Sequence, residues 1–143
     1  MDPFETVPCV SLNDPALDME ASEIAAYREK RDPALIKTKD GMVPTRYFLR
    51  ALPATALRGL DMQAGIEARV QWLFRAGCHR VELSDGKVLT PDKKKLERQF
   101  GVQIAPDEWI VECNDAVGMD ILAGMADVIW ERSRMSKAQR APF

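Results

Sequence analysis

One histidine and three cysteines in 143 residues leave little material for catalysis or metal binding. Cys9, Cys78 and Cys113 are odd in number and widely spaced, with no C-x-x-C pair, which argues against a disulfide framework and for a reducing compartment. A glycine-rich phosphate loop is also missing, because Gly59, Gly65, Gly77, Gly118 and Gly124 never cluster behind a strand. Positive charge is not in excess: 20 Lys and Arg stand against 22 Asp and Glu, a net charge of −2. Such a chain lacks the cationic field that holds a polyanion, so nucleic acid is a poor candidate partner. The most apolar segment, residues 116–130, is interrupted by Asp120 and Asp127 and is too short to span a bilayer. The opening "MDPFETVPCV" has no basic residues ahead of its apolar ones, unlike a secretory leader. A cytosolic product with no membrane partner is expected.

The length suits one domain, which can bury roughly two thirds of the surface its unfolded form exposes. Apolar residues at 46% and charged residues at 29% fit a soluble globular class. The charges are unevenly placed. Six acids precede the first base, Arg28, while Arg132, Arg134, Lys137 and Arg140 crowd the other end. No internal repeat is visible.

Residues 1–20 carry three prolines and no hydrophobic period, which predicts an extended arm without a core of its own. Phe4, Val7, Val10, Leu12 and Leu17 let that arm dock on its own domain or on a neighbour, and both remain open. Ser22 is a candidate N-cap for a helix through Lys30, stopped by Asp32-Pro33. Leu35 and Ile36, the turn pair Asp40-Gly41 and the alternating run 43–50 predict a β-hairpin, with Pro44 at an edge or at a strand start. Pro53 opens a short helix. Ile66, Val70, Leu73 and Phe74 then make a helical stripe ending at Gly77, a candidate left-handed cap.

"HRVEL", Asp85-Gly86 and "KVL" predict a second hairpin. Thr90-Pro91 predicts a helix over 93–100, and Pro106-Asp107-Glu108 another helix start. The last helix is expected over about 115–132, its acids early and its bases late, with 134–143 as a basic tail. The expected class is α+β: a helical bundle-like core over residues 21–133 with one or two short β-hairpins, an extended N-terminal arm and a basic C-terminal tail.

Each chemical reading has a plainer competitor. Cys78 beside His79 could pair a thiol with a base, but neighbouring residues on a strand face opposite ways and nothing nearby supplies an oxyanion hole. Cys9, Cys78, His79 and Cys113 number the four ligands of a zinc site, yet structural zinc sites use close pairs. Small structural residues account for all four, so no catalytic residue, metal or cofactor is expected. "DKKKLER" reads as the wet side of a helix. Trp72, Trp109 and Trp130 read as core or core edge, while a tryptophan at a helix rim is also a common interface anchor.

The order of these segments resembles a family. The hairpin "LIKTKDGMVPTRYFLRAL", the helix "ARVQWLF", the turn segment "HRVELSDGK" and a closing helix running into "ERSRMSKAQR" resemble the small assembly proteins of tailed bacteriophages, tail assembly chaperones above all. In that family the hairpin carries an f-x-L-R-x-L flavour, a D-G-K follows the middle helix, and the last helix ends in S-x-[LM]-[ST], here Ser133 to Ser136. The resemblance covers about residues 34–137 and implies a non-enzymatic protein that binds tape-measure and tail-tube proteins in the host cytoplasm.

A permanent virion subunit, a connector or a minor capsid or tail component laced to its neighbours, is the alternative. A thiol or zinc enzyme is the remote third. Partner-binding residues are then expected at Phe4, Val7, Leu12, Trp72, Trp109, Trp130, Arg134, Met135 and Phe143, and self-association is left open. Trimming residues 1–18 or 134–143 is expected to leave the core standing.

Overall fold

The computed structural model describes residues 6–139, with side chains through Arg134. Its centre is a pair of helices. Helix α3 (Ile66–Gly77) buries Trp72, Leu73, Phe74 and Ala76 against the long α5 (Met119–Gln139). Their closest approach explains Gly77. A Cβ there would stand 2.6 Å from Cγ2 of Ile129, so the missing side chain admits a neighbouring helix. The left-handed cap expected at this glycine is not formed, and the chain passes directly into extended backbone at Cys78, φ −135°.

The sheet beside these helices has four antiparallel strands in the order β1-β2-β3-β4: β1 (Val7–Cys9), β2 (Arg46–Leu49), β3 (Cys78–Glu82) and β4 (Val88–Leu89). The β3–β4 hairpin around Asp85-Gly86 is the one predicted, with the positive φ of 93° at Gly86 that a tight turn requires.

The first predicted hairpin does not form. Asp32 accepts from the Ala34 N–H and Pro33 starts a 3-10 turn over Pro33–Leu35, so Leu35 and Ile36 are unavailable as a strand. β2 pairs with β1 instead, Val7 opposite Leu49 and Cys9 opposite Tyr47. Strand β2 is therefore central, and Pro44 precedes it rather than lying within an edge strand.

The described part of the N-terminal arm thus docks on its own domain. Cys9, Val10 and Ala16 are buried. The Val10 N–H donates to the Tyr27 hydroxyl at 3.0 Å, and Asp14 accepts from the Thr45 N–H at 2.9 Å. Tyr27 is the one buried residue of α1 (Ala21–Lys30). Its N-terminus is capped by a reciprocal Glu20–Glu23 box rather than by Ser22.

Three further corrections concern helices. The helix expected over 93–100 is a 3-10 turn at Lys93–Lys95 followed by a hairpin, β5 (Glu97–Gln99) and β6 (Val102–Ile104). Three lysines offer no apolar face, whereas Val102 and Ile104 alternate inward around exposed Gln103. Phe100 and Gly101, both at positive φ, make the turn.

The last helix, expected from about 115, begins only at Met119. Residues 115–117 belong instead to α4 (Asp107–Val117), the helix expected to start at Pro106, and Gly118 at φ 92° separates the two. Residues 134–139 continue α5 instead of leaving as a tail. The short α2 (Leu57–Asp61) completes an α+β fold that, among the described residues, has five helices and two small antiparallel sheets. Tyr47, Leu49, Cys78, Val81 and Leu89 face the helices and join one core, each large apolar side chain contributing about 1.5–3 kcal/mol by leaving water.

Candidate partner-binding surfaces

The thiols and the imidazole sit where reactivity is suppressed. Cys78 is fully buried, its Sγ donates weakly to the Arg80 carbonyl oxygen, and burial pushes its pKa up to about 12. Burial likewise raises Cys9 and Cys113. A thiolate nucleophile needs the opposite shift.

His79 does not meet Cys78. Its Nε2 lies 2.7 Å from the Arg75 carbonyl oxygen, which can only accept, so Nε2 carries the proton and serves as a donor. Burial lowers the histidine pKa against the opposing pull of that bond. Among the described residues no group of three or more His, Cys, Asp or Glu is placed to hold a metal ion. No helix among them is long and apolar enough to cross a membrane.

The sheet has helices on one face only, and its other face is where apolar surface stays open. A bulge in β3 sets this face up. Tyr47 pairs with Val81 and Leu49 with Cys78, so two β3 residues, His79 and Arg80, oppose the single Phe48. The extra residue lets Cys78 and Val81 both point inward and turns Arg80 over the outer face. Its guanidinium carbon lies 5.3 Å from the Phe48 ring centroid, and its Nε donates to Glu82 at 2.9 Å.

Phe48 and its cross-strand neighbour Pro8 form the floor of a groove of about 620 Å³, walled by Pro33, Ile36, Met42, Val43 and Pro44. Met42 and Val43 are 42% and 53% exposed. A second hollow, of about 470 Å³, shares Val43, Pro44 and Arg46 with the first and runs on past Glu82 to Val88. Arg46 stands at the junction. It lies opposite Glu82, but the carboxylate is taken by Arg80, and Arg46 has no ion-pair partner among the described residues.

The residues expected to bind partners are scattered by this arrangement. Val7 begins β1 opposite the core residue Leu49 and is not among the residues lining the groove, and Leu12 is half-buried beyond that strand. Trp72 and Trp109 are interior, 2% and 1% exposed, so their contribution is packing. The Trp109 indole N–H donates to the Cys78 carbonyl at 2.8 Å, tying α4 to β3, and its ring stacks on Phe74. Trp130 is half-buried and lines a different hollow, between α3 and α5. Arg134 is exposed on α5. Phe4 and Phe143 lie outside the described residues, as does the side chain of Met135.

The groove residues were missed although one signal was available. In the alternating run 43–50, Phe48 falls in register with Arg46 and Arg50, and an aromatic on the polar side of a strand is out of place unless something covers it.

Comparison with known protein families, with curated proteins and with solved structures finds no match.

Proposed function

We propose that the protein works by binding other polypeptides through the outer face of its sheet, without enzymatic chemistry, in the assembly of a tailed-bacteriophage particle, as a tail assembly chaperone. One observation carries the binding part of this reading: an open groove floored by Phe48, with rigid proline walls and a cation, Arg46, that has no ion-pair partner among the described residues. Prolines and a strand floor hold their shape before a ligand arrives, which reduces the ordering cost of association. An extended apolar segment with a carboxylate placed to meet Arg46 fits that chemistry. The phage setting rests on the sequence resemblance, and tape-measure or tail-tube proteins in the host cytoplasm are the clients it implies.

The test is co-purification of the tagged chain from cells making a full set of tail proteins. Recovery of a tail-tube or tape-measure protein is expected, reduced about tenfold or more by Val43→Asp, on the scale of a lost interface anchor. No tail protein retained, or retention indifferent to Val43→Asp and Phe48→Ala, defeats the reading. Fixed copies of the chain in purified particles would make it a virion subunit instead of a chaperone.

A further inference from the structure

A second open surface has the opposite character from the sheet groove. On α3, Ile66 is 82% exposed, although it begins the stripe that sequence periodicity assigns to the core. It borders a hollow of about 180 Å³ lined by Val70, Leu73 and Trp130, a space on the scale of one large aliphatic side chain. Protruding side chain and hollow therefore lie side by side.

The charges repeat the pattern. Arg69 of α3 and Asp127 of α5 line the same hollow, yet neither has an ion-pair partner among the described residues. A surface that carries both a projection and its socket, and both a cation and an anion, is complementary to itself under a two-fold rotation. In such an isologous contact each residue i meets j while j meets i.

We propose that the α3–α5 face is a homodimer interface whose occupant is a second copy of this chain. Ile66 of each subunit fills the hollow beside Trp130 of the other, and Arg69 of each pairs with Asp127 of the other. The sheet groove, lined among the described residues by the cation Arg46 and no carboxylate, has no such self-match and stays free for a different polypeptide on a separate face.

The experiment is sedimentation equilibrium of the full chain with three variants: Ile66→Glu, Arg69→Asp and Asp127→Arg. All three positions are on the surface of helices, and circular dichroism checks that the helices survive. The wild type is expected to dimerise, and each variant alone to dissociate at least tenfold more readily. An equimolar mixture of Arg69→Asp and Asp127→Arg is expected to regain dimers, because both cross-pairs in the heterodimer then join opposite charges. A wild type that stays monomeric up to its solubility limit overturns the proposal and leaves the face to a foreign helix. A dimer that tolerates Ile66→Glu, or a mixture that fails to re-associate, overturns it equally.

Discussion

Two glycines in contacting helices make opposite demands on the same substitution. Gly77 abuts Ile129, so Gly77→Ala forces the α3–α5 contact apart and is expected to destabilise the fold by about 1–3 kcal/mol, the range for overpacking a filled interior. Gly124 lies in mid-α5, with nothing within 4 Å of the position its Cβ would take. Gly124→Ala is expected to stabilise by up to about 1 kcal/mol through helix propensity alone. Melting temperatures of the two variants check both signs, and equal effects would refute the packing role of Gly77.

His79 makes a second residue-scale prediction. Its folded-state pKa lies below its unfolded value because burial penalises the charged ring. The unfolded chain therefore binds the proton first as pH falls. The stability that neutral His79 contributes is complete above its ordinary value, about 6.5, and is lost below it. Melting curves between about pH 7.5 and about pH 5.5 are expected to show a decline that His79→Gln flattens.

Among the elements, the most consequential is the short β1, which the sequence read as an arm. The sheet's edge strand covers β2 and seats Cys9 and Val10 in the interior. Removal of residues 1–18 is now expected to lower the melting temperature by roughly 10 °C or more, since several buried side chains and the Val10 and Asp14 hydrogen bonds go together. An unchanged melting temperature would return β1 to the status of an appendage. Pro8 has no N–H to offer along the sheet's outer edge, which discourages further strands from adding there.

How much of this was legible divides by the range of the forces involved. The β3–β4 hairpin, α3 and the start of α4 were readable because a turn pair, a period or a cap specifies each locally. The pairing of β1 with β2 was not, since about forty intervening residues separate them and nothing in "VPC" names its partner. The bulge was equally hidden: Cys78 and Val81 are three apart, a spacing that strand alternation assigns to opposite faces. Val117 followed by Gly118 looked like the interior of one helix because apolar residues continue on both sides. Only the positive φ at the glycine ends the first helix. Of the candidate surfaces, Trp130 was named from the sequence and Phe48 stood out within its own strand, whereas the neighbours that make a groove around Phe48, Pro8 and Pro33 among them, come from tertiary pairing that no single segment encodes.

At the scale of the whole molecule, three buried thiols spread over β1, β3 and α4 report on the fold as a unit. All three are expected to resist a thiol reagent in the native protein and to react together on unfolding, as cysteines with raised pKa values in one core do. Selective labelling of Cys9 alone would show that the edge strand opens independently. The two open faces also sit on different layers, one on the sheet and one on the helix pair. Binding at one therefore leaves the other accessible, and variants of Val43 and Ile66 are expected to act independently.

Ser133 closes the structure from its far end. Its hydroxyl donates to the Ile129 carbonyl within α5 and accepts the Leu52 N–H just beyond β2, at 2.8 Å, across 81 positions of sequence. During synthesis this bond waits until residue 133 has been made, and the helix that shields the interior side of the sheet waits with it. A nascent chain that stops short of α5 carries a bare oily flank, which makes the docking of α5 the moment at which this fold becomes safe from its own stickiness.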